Sequence, residues 1–160
     1  MDAYARYGPT LLRKARRMLG SAADAEDVVQ SVFVDLVRRG HSGADLPYLF
    51  RAVTSRCLNH VRDRGNRARL LERQEPALRA LARTRCDDQV IGMDLLTKLV
   101  DRLDPACAEV LVYRYCDDLT QDEIAEVQEV SRKTVGARLA RVREAVQALI
   151  EARAATGGAP

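Results

Sequence analysis

An unbroken helical period of apolar residues between positions 25 and 37 is the feature that most constrains the fold of this chain. Apolar side chains recur there every three or four residues, which places them on one stripe of an α-helix and polar side chains on the other. Because such a stripe is stable only against further apolar surface, it predicts a helix packed on other helices. The stripe consists of Ala25, Val28, Val29, Val32, Phe33, Leu36 and Val37.

Helices are expected on both sides of this one. The first should run from Ala3 to Leu19 and stop at Gly20, since glycine is the usual residue just beyond a helix C-terminus. Ser21 then begins a Ser-x-x-Asp pattern that is typical of a helix start. The third should begin near Asp45, and the pair Gly65-Asn66 should interrupt or end it. Its core residues should be Leu49, Val53, Cys57 and Val61.

Residues 67–92 lack a clear apolar period, and Arg, Glu, Gln and Asp dominate them. This composition is typical of a linker with some helical character. A further core helix through Leu78, Leu81 and Ala82 is the alternative interpretation of the same segment. We favour the linker.

The C-terminal segment is rich in helix formers and carries clear helix-start signals. Asp104-Pro105 combines a capping side chain with a proline in the first helical turn, and Thr120 with Glu123 forms a capping box. Ser131 then caps one more helix. That helix should direct inward the apolar residues Val135, Leu139, Val142, Val146 and Leu149.

These patterns predict an all-α fold of two small helical domains joined by a linker. The chain is 47% hydrophobic, which is enough for packed cores, and its two Phe, five Tyr and absence of Trp make those cores mainly aliphatic. The expected boundaries are residues 1–68 for the first domain, 69–92 for the linker, 93–153 for the second domain and 154–160 for a disordered tail.

Two helices near the C-terminus fit a helix-turn-helix, which needs two helices, a turn of about three residues and a basic outer face on the second helix. They are expected at Gln121–Val127 and Ser131–Arg143. Arg, Lys and Thr on such a face contact base edges and phosphates in the major groove. An ordinary helical hairpin with a solvated basic face is the alternative. The expected DNA-facing residues are Arg132, Lys133, Thr134, Ala137, Arg138 and Arg141.

Charge is segregated along the chain although the formal net charge is only +3. Between Arg51 and Arg85 ten arginines face three acids, whereas the stretch from Asp24 to Asp35 is acidic. A segregated basic segment is typical of binding to a polyanion such as DNA. A solvated Arg-rich helix is the alternative.

Three stretches of the chain resemble one protein family. The stretch "LVDRLDPACAEVLVYRYCDDLTQDEIAEVQEVSRKTVGARLARVREAV" is similar to the region that reads the −35 promoter element in sigma factors of the extracytoplasmic-function class. "SAADAEDVVQSVFVDLVRR" resembles the polymerase-binding helix of that family, and "LPYLFRAVTSRCLNHVRDRGNR" resembles its −10 element helix. The blocks occur in the family's order and cover most of the chain. The resemblance implies domains like sigma regions 2 and 4.

The resemblance also implies partners and sites. In such factors an Asp-x-x-Gln pair contacts a coiled coil of the largest subunit of RNA polymerase, and here the pair is Asp27 and Gln30, with Ser31 beside it. Core RNA polymerase and promoter DNA are therefore the expected partners. A dedicated anti-sigma factor is a further expected partner, because members of the family are commonly silenced by one. A solvated acidic face is the alternative for the Asp27 surface.

For the −10 element, the resemblance implies that the loop from Gly40 to Asp45 and the start of the third helix hold a flipped base. The basic residues of that helix would lie along the backbone phosphates, where they raise affinity without reading sequence. The expected −10 residues are Arg51, Ser55, Arg56, Asn59, Arg62 and Arg64, with Arg67 as a further phosphate contact.

The chain departs from the family pattern at several positions. Ser55 and Asn59 stand where relatives usually carry Asn and Asp, so the −10 preference is not predicted. Tyr48 replaces a usual Trp and is expected to keep its packing role. Glu129 occupies a turn position that commonly holds Gly, where a positive φ would strain it. Gly136 replaces a basic residue and weakens the recognition helix, so the −35 sequence is not predicted either.

Other functions fit the sequence less well. A stand-alone helix-turn-helix regulator that never meets polymerase accounts for residues 120–143 but leaves the first helices unexplained. An enzyme is disfavoured because there is no Gly-rich phosphate loop and no Ser/His/Asp pattern, and the only histidines are His41 and His60.

No cofactor, metal site or membrane insertion is expected. The four cysteines, Cys57, Cys86, Cys107 and Cys116, lack C-x-x-C spacing, so reduced and mostly packed thiols are expected. No apolar run approaches the roughly 20 residues needed to span a bilayer, and no secretory leader is recognisable, so a cytoplasmic location is expected.

Overall fold

The structure, a computed structural model, describes residues 2–40, 44–74 and 88–156. Those ranges form α-helices joined by short turns and contain no strand, which confirms the all-α prediction. The chain divides into two compact units, Met1–Lys98 and Leu99–Pro160. The helices are α1 (Asp2–Leu19), α2 (Ala22–Arg38), α3 (Leu46–Gln74), α4 (Asp88–Arg102), α5 (Pro105–Tyr115), α6 (Gln121–Gln128) and α7 (Arg132–Thr156).

The N-terminal unit is built on α1, α2 and α3, each of which packs against the other two. Gly20 ends α1 with a φ of 67°, and its N–H donates to the Arg16 carbonyl at 3.0 Å. Ser21 then caps α2 by accepting a hydrogen bond from the Asp24 N–H at 3.3 Å. The sequence signals for this helix boundary are therefore confirmed. Tight capping at both ends of a two-residue turn fixes where α2 begins.

The core of this unit is aliphatic, as the composition predicts. The stripes of the three helices meet there, and α3 contributes its four predicted residues. Lys14 is also buried, with its Nζ 4.0 Å from the centre of the Phe50 ring, which is a cation–π contact between α1 and α3. The buried apolar residues are Leu11, Ala15, Met18, Leu19, Ala25, Val28, Val29, Val32, Leu36, Leu49, Val53, Cys57, Leu58 and Val61.

Two predictions for this unit are wrong. Val37 continues the predicted apolar stripe of α2 but is 81% exposed, because it lies at the edge of that stripe, one turn beyond the half-buried Phe33, whereas Leu36 beside it is buried. The pair Gly65-Asn66 neither interrupts nor ends α3, which continues to Gln74. Gly65 is buried on the packed side of that helix, and one glycine costs a helix only about 1 kcal/mol. A long helix with one buried face tolerates that cost.

In the C-terminal unit α5, α6 and α7 pack on one another. Asp104 caps α5 by accepting from the Cys107 N–H at 3.0 Å, and Pro105 occupies the first helical position. Thr120 and Glu123 form the predicted capping box at the start of α6. The buried apolar residues are Leu99, Val100, Leu103, Cys107, Ala108, Val110, Leu111, Val112, Tyr113, Ile124, Val135, Leu139, Val142 and Leu149.

Some sequence predictions fall at the edges of the described residues. The last helix continues to Thr156, three residues into the segment predicted to be a tail, and residues 157–160 lie outside the described residues. The middle of the predicted linker, with Leu78, Leu81 and Ala82, also lies outside them. Within the ranges that the structure describes, no helix is long and apolar enough to cross a membrane.

Candidate protein-binding and DNA-binding surfaces

The outer face of α2 carries the predicted protein-binding residues, and the structure divides them into two groups. Asp27 and Gln30 are exposed and share one face of the helix. Neither makes a hydrogen bond or ion pair with any residue that the structure describes. Ser31 is half-buried, and its Oγ donates to the Val28 carbonyl at 2.7 Å. Of the three predicted residues, only Asp27 and Gln30 therefore have side chains that a partner can reach.

Arg56, one of the predicted DNA-binding residues of α3, is bound to α2. Its guanidinium donates to Ser31 Oγ at 2.7 Å and forms an ion pair with Asp35. The side chains of Arg56 and Asp35 are 37% and 36% exposed, so the pair lies at the edge of the core. Arg56 thus joins the two helices, and its charge is already balanced by an acid of the same unit.

The remaining predicted residues of α3 form a basic surface. Arg64 and Arg67 are exposed and have no partner among the residues that the structure describes. Arg62 donates to Asn59 Oδ1 at 3.4 Å along the same helix. Arg51 and Ser55 are half-buried.

A shallow cleft lies where the second half of α2 meets the start of α3. Its lining combines apolar side chains with the Arg56–Asp35 pair and Arg39. Tyr48 lines the cleft and is 37% exposed, so it packs there only in part. Residues 41–43 of the predicted base-binding loop lie outside the described residues. The lining residues are Val32, Asp35, Leu36, Arg39, Tyr48, Ala52 and Arg56.

Helices α6 and α7 form a helix-turn-helix, as predicted. Glu129 ends α6 with φ 54° and ψ 44°, so this residue adopts the left-handed conformation that strains a residue with a side chain. Its N–H donates to the carbonyl oxygens of the last turn of α6. Ser131 caps α7 by accepting from the Thr134 N–H at 3.1 Å. A left-handed residue followed directly by a cap makes this turn short and fixes the start of α7.

The predicted DNA-facing residues of α7 differ in exposure. Arg132, Lys133, Ala137 and Arg141 are exposed, and Thr134 is half-buried beside Ser131, with a 2.8 Å hydrogen bond between the two hydroxyl groups. These residues cover the outer face of the first three turns of the helix.

Arg138 does not point straight outward, which corrects the expectation from helical spacing. It is half-buried, and its NH1 donates to Gln128 Oε1 at 2.7 Å. Position 138 is three residues beyond Val135 and four before Val142, both of which are in the core. Arg138 therefore lies on the flank of α7 and reaches the outer face only along its edge.

Two other arginines of α7 face acids of the same unit. Arg141 NH1 lies 3.1 Å from Asp104 Oδ2, and Arg132 NH1 lies 3.5 Å from Asp122 Oδ2. Both pairs are largely exposed, so each is worth little to stability. They do orient the guanidinium groups.

The start of α5 has the clearest electrostatic effects. The hydrogen bond from the Cys107 N–H lowers the pKa of Asp104 below its ordinary value, and the nearby Arg141 lowers it further. Burial raises the pKa of the Cys107 thiol. Asp104 is therefore a charged cap at neutral pH, and Cys107 is a protonated packing residue.

The cysteines fit the expectation of reduced thiols as far as they are described. Cys57 and Cys107 are free and buried, and Cys116 is free and half-buried, whereas Cys86 lies outside the described residues. No group of three or more His, Cys, Asp or Glu residues suited to a metal ion occurs in the described part of the chain.

Sequence reasoning missed the residues that hold the predicted site residues in place. Asp35 binds Arg56, Asp104 binds Arg141, and Gln128 binds Arg138. Asp24 likewise lies 3.5 Å from His60. Their sequence separations range from 10 to 37 residues, so no local spacing rule identifies them.

These features define a helix-turn-helix protein in which a second helical unit precedes the DNA-binding one. Residues 3–67 match the family described as Sigma-70 region 2, and residues 93–146 match Sigma-70, region 4. The chain belongs to the sigma factors, in the extracytoplasmic-function class, and is thus a DNA-binding protein of transcription initiation. The alternative of a stand-alone helix-turn-helix regulator does not account for the match to region 2.

Solved structures of sigma factors are similar to the chain. One is CnrH in complex with the cytosolic domain of CnrY, which is 25% identical with a TM-score of 0.55, over 94% of this chain and 86% of that one. Another is RpoE in complex with the anti-sigma factor NepR from Bartonella quintana, 15% identical with a TM-score of 0.48, over 94% and 95%. No curated protein sequence matches the chain.

Proposed function

We propose that this sigma factor binds core RNA polymerase with its N-terminal unit and directs it to promoters that both units contact. The observation that carries this proposal is the presence of two surfaces of different chemistry on two separate units. One is the exposed acid-and-amide face of α2, and the other is the exposed basic face of α7. A protein that only bound DNA would have no use for the first surface.

Polymerase would dock on α2 through Asp27 and Gln30. Both side chains are fully available, since neither is engaged by the residues that the structure describes. An exposed carboxylate and an amide three residues apart suit a helical partner that carries complementary polar groups. Ser31 would act within the unit, because its hydroxyl group is bonded to Val28 and Arg56.

The −10 element would contact α3. Arg62, Arg64 and Arg67 follow one another along the exposed length of this helix, which suits a run of phosphates. The cleft beside Tyr48 would receive an unstacked base, since it offers an aromatic wall and a charged pair. Arg51, Ser55 and Asn59 would complete the surface.

The −35 element would be read in duplex form by α7. Its N-terminal turns carry Arg132, Lys133 and Thr134, which suit phosphates and the outer base pairs, while Ala137 leaves room for close approach. Arg138 and Arg141 would follow along the groove. Two tethered units raise the effective concentration at the second promoter element once the first is bound.

A protein partner that covers these surfaces is part of the proposal. CnrH, which shares the fold of this chain, was solved in complex with the cytosolic domain of CnrY. An anti-sigma factor would therefore compete with polymerase and DNA for the same faces. The chain would work in the cytoplasm, where polymerase is, and would act by binding without catalysing a reaction.

The test is run-off transcription with purified core polymerase on a promoter library. The wild-type chain should select templates with a −10 and a −35 element at a fixed separation, and it should copurify with core polymerase. A chain that binds promoter duplex but neither copurifies with polymerase nor starts transcripts would be a stand-alone helix-turn-helix regulator, and the proposal would be rejected.

A further inference from the structure

Gln128, the last residue of α6, makes hydrogen bonds to both neighbouring helices of the C-terminal unit. Its Nε2 donates to the Ala106 carbonyl and to Glu109 Oε2 on α5, each at 3.2 Å. Its Oε1 accepts from Arg138 NH1 on α7 at 2.7 Å. All three bonds are partly buried, so water competes for them less than at the surface.

The chemistry of the partners leaves the Gln128 amide only one orientation. Arginine has donors and no acceptor, so the amide oxygen must face Arg138. The Ala106 carbonyl and the Glu109 carboxylate are acceptors, so the amide nitrogen must face α5. A glutamine in this place is therefore fixed at both ends, and it transmits the position of α5 to the arginine.

The bond to Gln128 restricts the Arg138 side chain but leaves its other hydrogen-bond donors available. A guanidinium group carries five N–H donors in one plane, and the bond to Gln128 engages NH1. The side chain is half-buried against the core at the edge of the DNA-facing surface. Holding one nitrogen, together with the half-buried stem, restricts the directions in which the remaining donors can point. Bidentate recognition of guanine depends on those directions, because O6 and N7 must each meet a donor.

We propose that Gln128 is a positioning residue that sets base selectivity: with Glu109 it holds Arg138 so that its free donors meet a base edge with two acceptors, as guanine presents in the major groove. The inference rests on the proposed −35 function. It adds a residue outside the DNA-facing surface that decides which base pair is preferred at one position. The hydrogen bonds from Glu109 through Gln128 to Arg138 are referred to below as the Gln128 relay.

The test uses the chain assembled with core polymerase on a promoter library in which the −35 element is randomised. Gln128→Leu keeps a side chain of similar size but removes every hydrogen bond of the relay. It should reduce the preference for guanine at one base pair by about tenfold, while the preferences at the other positions remain. Arg138→Ala should lose the preference at the same base pair, and the double variant should lose no more than Arg138→Ala alone.

A charge-exchanged pair of variants, in which Gln and Glu swap places between positions 109 and 128, tests whether selectivity can be rescued. Gln128→Glu still accepts from Arg138 but places a carboxylate opposite Glu109, so it should reduce the selectivity. Adding Glu109→Gln restores a donor between positions 109 and 128 but not the donor to the Ala106 carbonyl, so the double variant should regain part of the selectivity that Gln128→Glu loses. Gln147→Leu is the matched control. Within the described part of the chain Gln147 bonds to Glu151 alone, on the exposed side of α7, so this variant should leave every preference unchanged.

The outcomes separate the relay from the proposed function. A wild-type chain that starts no transcripts, or shows no −35 preference, overturns both. A selective wild type whose Gln128→Leu variant keeps the same preference at every base pair overturns the relay alone. The melting temperature of each variant is measured in parallel, and a preference that changes only in proportion to lost stability also overturns the relay. The charge-exchanged pair decides the matter if Gln128→Leu does not fold.

Discussion

The two units of this sigma factor present their polar groups in opposite ways. On α2 of the N-terminal unit, Asp27 and Gln30 are exposed and are not engaged by the described residues. On α7 of the C-terminal unit, Arg138 and Arg141 each donate to an acceptor of their own unit, and Arg132 lies 3.5 Å from the Asp122 carboxylate. The face of α2 proposed for polymerase is thus open, whereas Arg138 and Arg141 of α7, which are proposed for DNA, are already bonded within their own unit.

The difference affects the entropy cost of binding. Arg and Gln carry up to about 2 kcal/mol of side-chain entropy, so a side chain that its own unit already holds loses less when a partner binds. Acceptors within the unit restrict the arginines before DNA binds, which reduces the side-chain entropy that is lost on binding. The predicted contact residues of α2 and α7 therefore differ in how far their own unit already holds them.

The largest expected effect comes from the open face. Replacing Asp27 and Gln30 by Ala should weaken binding to core polymerase by roughly tenfold or more, since a central interface residue is typically worth about 2 kcal/mol. The melting temperature should stay unchanged, because neither side chain has a partner to lose among the described residues. Titration with labelled core polymerase measures this. Asp63→Ala on α3 is the matched acidic control, and equal affinity of all three proteins would reject the assignment.

The next largest effect concerns Asp104, which caps α5 and pairs with Arg141 of α7. Asp104→Ala should lower the free energy of unfolding by about 1 kcal/mol from the cap, with up to roughly 1 kcal/mol more from the exposed Arg141 pair. Urea unfolding measures it. Asp104→Asn is the matched control, because Asn caps helices as well as Asp does but carries no charge.

The same pair of variants has a pH signature. The pKa of Asp104 is lower in the folded protein than its ordinary value of 3.8, so its charge contributes stability that is complete above that value. This contribution is lost as pH falls through the folded pKa. Wild type should therefore exceed Asp104→Asn in stability at neutral pH, and the two should converge in acid below about pH 4. Parallel curves across this range would show that the charge contributes nothing.

A smaller effect of opposite sign is expected at the turn. Glu129 has a positive φ, which costs a residue with a side chain roughly 1 kcal/mol, so Glu129→Gly should raise the free energy of unfolding by about that amount. Glu126→Gly, three residues earlier within α6, should lower it by about 1 kcal/mol because its backbone is helical. Thermal unfolding of both variants checks the signs. Destabilisation by Glu129→Gly would mean that the Glu129 side chain outweighs the strain.

The smallest effect separates the arginines of α3. Arg56→Ala should lower stability by about 0.5 kcal/mol, as expected for a partly exposed ion pair, and leave the salt dependence of promoter binding unchanged. Arg64→Ala should leave stability unchanged and reduce the slope of log affinity against log salt concentration by about 1. Binding at several salt concentrations gives the slope. The reverse pattern would show that Arg56 contacts phosphate and Arg64 does not.

Local features of the chain could be predicted well from its sequence. Gly20, Ser21, Asp104 and Thr120 mark helix ends at the positions where the structure has them. The resemblance also drew attention to Glu129, which stands where relatives commonly have Gly and which has a positive φ in the structure. Capping and turn geometry involve residues within about four positions of one another, so the sequence contains the whole interaction.

Predictions that depend on distant contacts were less successful. Val37 continues the apolar period of α2 but is exposed, because it lies at the edge of the stripe, whereas Leu36 in the same turn is covered. The Gly65-Asn66 pair has the composition of a helix end, yet packing carries α3 through it. Periodicity gives the direction in which a side chain points, but whether another helix lies there depends on the lengths and crossing of the helices.

The sequence by itself determined that this protein is helical, that it has a helix-turn-helix and which of its faces are charged, because these properties come from local spacing and residue type. Only the tertiary structure decided that Arg56 is bound to Asp35, and that Arg138 is held by Gln128. Those pairs join different helices and exist only once the chain has packed, since a hydrogen bond requires two groups within about 3 Å. The distances between side chains in the folded protein therefore decide which charged groups are bonded internally and which can bind a partner. The order of residues does not contain these distances.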